Sequence, residues 1–292
     1  AATPVPPPLT GADAAFQGIG TVVSGIATIV QTPTMDTITV ATPQTVINFT
    51  PFDTANGGGP ITFLPSGRTG LFQNDPNSGL TNFTVLNRVI PTDATRAIRF
   101  DGTVQSRIVD AIGGSTPGGT ILFYSPGGII ASSSAVFDVG SLVLSAADVG
   151  FGASSNSFSF SGAAAGTTVD INNGASIIAQ GVGSYVALVA PRVVQSGSVR
   201  SDGSIGYIAA GAVDVTIQNN LFDISFVQGT DSGAAITHTG TTELTRAPND
   251  TSPQRIYVAA VPKNDAITTL ISGSLGYSAA TSASVRNGAI IL

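Results

Sequence analysis

The stretch VDINNGASIIAQGVGSYVALVAPRVVQSGSVRSDGSIGYIAAGAVDVTI, residues 169–217, resembles itself at short range. GSYVALVA at Gly183 returns as GSIGYIAA at Gly203, an offset of 20, and NNGASIIAQG at Asn172 returns as QSGSVRSDG at Gln195, an offset of 23. A unit this short cannot bury its own apolar side and must stack on its neighbours. Within each unit aliphatic residues tend to alternate with small or polar ones, the period of a strand. Gly, Asn and Asp fall between the runs, where a chain has to turn tightly. The pattern predicts a parallel β-solenoid whose windings hold two or three short strands, stacked at ~4.8 Å.

The rest of the chain fits the same reading. Short apolar runs follow one another from DTITVATPQTVINFTPF (residues 36–52) to GSLVLSAADV (140–149), with no helical pattern long enough for a βαβ crossover. The 292 residues include 35 Gly and 17 Pro and a single Lys, Glu and Met, which favours strands and turns over helices. On this reading residues 37–228 hold about eight or nine coils, a rod of ~40 Å. Residues 229–265 are more polar and carry the lone His, Glu and Lys; they are expected to leave the solenoid, with THTGTTELTR and QRIYVAAV as a hairpin laid on the rod. The solenoid is expected to resume at residue 266, with VRNGAIIL opening a coil as INNGASIIA does. A chain that stops in mid-repeat predicts either further polypeptide or a stacking end for another molecule.

Residues 1–36 read as a separate arm. PVPPPLTG is polyproline-like, and Phe16, Ile19, Val22, Val23, Ile26 and Ile29 follow among three glycines. This apolar segment either packs on the main body or joins a neighbouring molecule. The chain starts Ala-Ala-Thr without a basic leader, as a mature or trimmed form would.

Several chemistries lack their residues. There is no cysteine, hence no disulfide, thiolate metal site or thiol nucleophile. A net charge of −6 without a basic patch speaks against nucleic acid. Aspartates stand singly beside turn residues, as at Asp75, Asp101, Asp202 and Asp250, not as the facing pair a glycosidase needs. Arg192 and Arg200 near Asp202 read as surface charges, and His238 alone is no ligand set. GGTILFYSPGG has glycine but not the Lys-Ser/Thr of a phosphate loop, so no cofactor is expected. The chain reads as a non-enzyme; a polysaccharide-active β-helix would require a carboxylate cluster that these positions do not supply.

Taken together and in order, FTVLNRV (83–89), FDGTVQSRI (100–108), GGTILFYSPGGIIASSSAVFDVGSLVLSAADV (118–149) and the phenylalanines of 151–162 resemble the haemagglutination-activity domain, the two-partner-secretion domain of filamentous-haemagglutinin-like exoproteins. QTVINFTPFDT and the order from Ile171 to Ala210 extend the resemblance over roughly residues 37–217. It implies a right-handed parallel β-helix with an amino-terminal cap and extra-helical hairpins. It further implies a bacterial exoprotein, secreted to the cell surface through an outer-membrane β-barrel transporter whose periplasmic domains recognise it, with each coil templating the next. Such proteins serve as adhesins or biofilm components; the receptor is not legible. By resemblance the transporter-recognition or turn residues are Asn87, Arg88 and Ser125, Pro126, Gly127, Gly128, Ile129, the last five standing where the family carries Asn-Pro-Asn-Gly-Ile. The alternative expectation is a surface filament subunit that associates end to end.

Overall fold

The computed structural model describes residues 13–53, 58–154, 156–264 and 267–276, with the backbone of 284–286 and 289–291. Three parallel sheets wind around one core, and the chain visits them in a fixed order. The first face stacks Gln44–Pro51, Thr84–Val89, Thr120–Tyr124, Ser141–Ser145, Tyr185–Ala190, Ser204–Ala209 and Ile256–Ala260. The second runs from Ile61–Leu64 through Ile98–Phe100, Ile129–Ala131, Thr168–Ile171, Arg192–Gln195 and Ala234–His238 to Thr268–Ile271. The third begins at Met35–Val40 and ends at Ser274–Leu275. This is a parallel β-helix. Its strands alternate inward and outward, so Ile38, Val40, Ile47, Phe49 and their successors pack into one continuous apolar core.

Two antiparallel strands close the amino-terminal end. Gly18–Ser24 pairs with Gln44–Pro51, and Ala27–Gln31 pairs with Met35–Val40. They are held from beneath by Phe16, fully buried and stacked on Phe63 at 4.9 Å between ring centroids. The buried Asp36 carboxylate accepts the Ala15 and Phe16 amides, each at 3.0 Å, and the Gln31 side-chain amide at 3.0 Å. Residues 13–36 are therefore a cap continuous with the first coil and not a separate arm. Phe16 is core, Val22 and Ile29 pack partly against the core, and Ile19, Val23 and Ile26 stay exposed. PVPPPLTG lies outside the described residues.

Outside the helix a four-stranded antiparallel sheet, in the order Asp148–Phe151, Ser157–Ser161, Ala212–Gln218, Leu221–Gln228, lies against the outer side of the first face. It builds a second apolar core, in which Phe158, Phe160, Val213 and Val215 from the side sheet meet Leu122, Val143, Tyr185 and Val189 from the first face. A short hairpin, Thr103–Val109 with Ser115–Pro117, adds to the third face.

Three expectations are corrected. The first face carries six helix strands between residues 37 and 228, not eight or nine coils' worth, because 148–161 and 212–228 leave for the side sheet. Residues 229–265 form no excursion: Ala234–His238, Thr241–Leu244 and Ile256–Ala260 pair in parallel with Arg192–Gln195, Ser198–Ser201 and Ser204–Ala209, as a regular coil. Their polarity misled because it is satisfied inside. His238 is fully buried; its Nδ1–H donates to the Ser272 carbonyl at 2.8 Å, and Nε2 is hydrogen-bonded with the Thr242 hydroxyl at 2.8 Å. Ser284–Arg286 and Ala289–Ile291, the VRNGAIIL segment, pair antiparallel with each other and do not open a new coil.

Candidate recognition site

Asn87 sits on the first face with its side chain turned inward. Its column of in-register neighbours is Ile47, Asn87, Phe123, Leu144, Leu188, Tyr207 and Val258. In that file of large, mostly apolar side chains Asn87 is fully buried, donates Nδ2–H to the Leu122 carbonyl at 3.1 Å, and leaves Oδ1 without a partner. A buried acceptor left unmatched costs about 1–3 kcal/mol. Asn87 is thus a polar residue held where an aliphatic one would serve the fold better.

Arg88, next along the strand, points outward. Its guanidinium donates to the Val149 carbonyl at 3.1 Å and lies 3.0 Å from an Asp148 carboxylate oxygen. It pins the start of the side sheet to the first face and remains partly exposed. Tyr124 shares this neighbourhood; burial, with the nearby Asp148 charge, raises its phenol above the ordinary value.

Ser125 to Ile129 make the corner between the first and second faces. The Gly128 amide returns to the Ser125 carbonyl at 3.1 Å, closing a β-turn. Gly128 has φ +99°, and a Cβ there would lie 2.5 Å from the Thr168 carbonyl oxygen of the next coil. A Cβ on Gly127 would lie 2.2 Å from the Arg96 carbonyl oxygen of the coil before. The Pro-Gly-Gly corner is thin because coils press on it from both sides. Ser125 is fully buried, its hydroxyl without a partner, and Ile129 belongs to the core.

Asn87 and the corner are neighbours in this stack: Asn87 faces Phe123 and Arg88 faces Tyr124, the residue before Ser125. The structure brings the two motifs together on adjacent coils. The cap residues are a separate patch at the end of the helix. The other singled-out residues are dispersed: Arg192 lies on the second face and Arg200 on the third, while Asp202 accepts the Gly181 amide at 3.0 Å and the Thr245 hydroxyl at 2.6 Å as a corner residue. Among the described residues no three His, Asp or Glu side chains gather as metal ligands.

Cap, three-faced helix and laterally packed antiparallel sheet can be compared with known structures. The filamentous haemagglutinin secretion domain superimposes with a TM-score of 0.50 at 17% identity, over 87% of this chain and 96% of that one. The HMW1 secretion domain from Haemophilus influenzae superimposes with a TM-score of 0.53 at 17% identity, over 78% of this chain and 55% of that one. This is the secretion-domain fold. The chain spans little more than half of the HMW1 domain it matches. No protein-family model matches the sequence, and no curated protein matches it. The Asn87–Arg88 pair and the Ser125–Ile129 corner lie together on adjacent coils of this fold. Sequence reasoning missed Asp36 and Asn48: the first holds the cap, and the second, opposite Arg88, has a buried Oδ1 without a partner.

Proposed function

We propose that the chain is an export module: an outer-membrane β-barrel transporter recognises it before it folds, and coil-on-coil folding at the cell surface then makes export irreversible. The observation that carries this reading is Asn87. Stability gives no reason for an unmatched amide oxygen in the helix core, so its role lies with the unfolded chain, where its side chain is free. Ser125 fits the same account, being fully buried with an idle hydroxyl. Recognition residues of this kind are available to the transporter's periplasmic domains only until the coils stack; folding withdraws them and releases the partner. The secretion-domain fold supports the reading, and the low charge and close-stacked corners are compatible with a solenoid that templates its own growth.

The test is Asn87→Leu. An apolar side chain of similar size in that column is expected to leave stability unchanged or raise it by about 1 kcal/mol, read from urea midpoints. Secretion through the cognate transporter, measured in the culture supernatant, is expected to fall severalfold. Unchanged secretion from a variant of equal or greater stability would remove Asn87 from recognition. Binding of urea-unfolded and of folded protein to the isolated periplasmic domains separates the two states; tighter binding of the folded form would contradict the proposal.

A further inference from the structure

Among the described residues Gly18–Ser24 and Ala27–Gln31 are terminal in their sheets, and no strand pairs with their outer edges. Natural proteins protect such edges with charge, proline or bulges. Gly18–Ser24 has a bulge between Val22 and Ser24, which breaks its edge. Ala27–Gln31 has none of these devices: it is regular, pairs residue for residue with Met35–Val40, and reads Ala-Thr-Ile-Val-Gln. From Ala14 to Met35 there is no charged side chain, and the adjoining Asp36 is buried. Over the cap and the start of the first third-face strand, Ile19, Val23, Ile26, Val30 and Met35 stand 41 to 63% exposed. The remaining exposed large hydrophobics, such as Ile112 and Val227, are spread over separate loops and strands.

We infer that the cap is a homodimer interface, in which Ala27–Gln31 pairs antiparallel with the same strand of a second copy. A partner for this end has to be uncharged, apolar and able to offer an open strand edge of matching length. Among the described residues the cap strand itself meets that demand, and at the opposite end of the helix so does Ile256–Ala260, five uncharged residues terminal in the first-face sheet. Pairing cap to Ile256–Ala260 would run head to tail and grow into open-ended polymers, whereas cap to cap uses one edge twice and closes. Antiparallel self-pairing about a twofold axis at Ile29 sets Ala27 against Gln31, Thr28 against Val30, and Ile29 against its own copy. The contact is self-complementary and closes at two. It joins the third faces of both molecules into one sheet and continues both cores through Ile29, which already packs partly against its own.

The chain has no cysteine, so single-cysteine variants report cleanly. Sedimentation of the folded protein across a micromolar concentration series is expected to show a monomer–dimer equilibrium. Val30→Lys is expected to raise the dissociation constant at least tenfold with an unchanged thermal melt, while Val227→Lys, on the side sheet, leaves it unchanged. Under mild oxidation a mixture of Thr28→Cys and Val30→Cys proteins is expected to cross-link into heterodimers faster than either variant alone. A monomer throughout the series, a dimer indifferent to Val30→Lys, growth into open-ended polymers, or equal cross-linking of mixed and single variants would each overturn the inference. None of these readouts passes through the transporter, so they stand or fall apart from the export reading.

Discussion

Single residues decide how the cap and the corner close. Asp36 accepts three hydrogen bonds that favour its charged form, yet burial outweighs them and its pKa is raised above the ordinary 3.8. The folded state therefore holds this proton more tightly than the unfolded chain does. The contribution of Asp36 to stability is whole below 3.8 and is lost as pH rises through the folded value. Asp36→Asn is expected to flatten that segment of the stability curve; urea midpoints of both proteins from acid to neutral pH measure it, and parallel curves would contradict the assignment. In the sequence Asn87 stood out only by resemblance, while turn chemistry made the Pro-Gly-Gly corner legible as a turn. The sequence hid the direction in which Asn87 points, because LNRV reads equally well with either parity, and only the pairing with Ile47 and Phe123 sets it. Phe16 was legible as apolar but not as core, since its partners Phe49, Phe63, Phe72 and Phe123 lie 33 to 107 positions away.

At the scale of elements, register is where self-similarity fails. Matching Gly183-Ser184 to Gly203-Ser204 gives an offset of 20, but the strands pair Tyr185 with Ser204, an offset of 19. Likewise Ser176 pairs with Ser198 at 22, not 23. One residue of slip turns every side chain to the opposite face. Corners differ in length by a residue or two, and similarity among small corner residues does not record it. The inward set Val186, Leu188, Ala190 above Ile205, Tyr207, Ala209 is recovered only at the true offset. The side sheet was legible as strands but not as a separate layer, because AVDVTI alternates like any coil strand. Its docking depends on Gly206, where a Cβ would sit 2.5 Å from the Phe222 ring. Gly206→Val is expected to displace Phe222 and raise hydrogen exchange in 212–228, while the central coils keep their protection. Unaltered exchange in that segment would show that the side sheet does not rest on this contact.

For the whole molecule, nearest-neighbour stacking predicts graded stability. Central coils are covered on both sides by aliphatic layers; the coil at 234–260 has the polar His238–Thr242 pair inside and, among the described residues, a short, partial coil beyond it. Hydrogen exchange is expected to be slowest in 120–145 and 185–209 and at least tenfold faster in 234–276. Uniform protection along the chain would mean that the helix opens as one unit. The overall architecture was legible because it follows from period and punctuation, while the coil count was not, since the two departures to the side sheet look like windings.

The strand Gly18–Ser24 finds its partner within the next three strands, at Gln44–Pro51, and Ala27–Gln31 finds its own in the very next one, at Met35–Val40. Residues 18–51 thus hold the makings of a seed. On the export reading proposed above, growth does not wait for a distant segment: these strands lay the floor, and each winding added after them inherits an edge to build on.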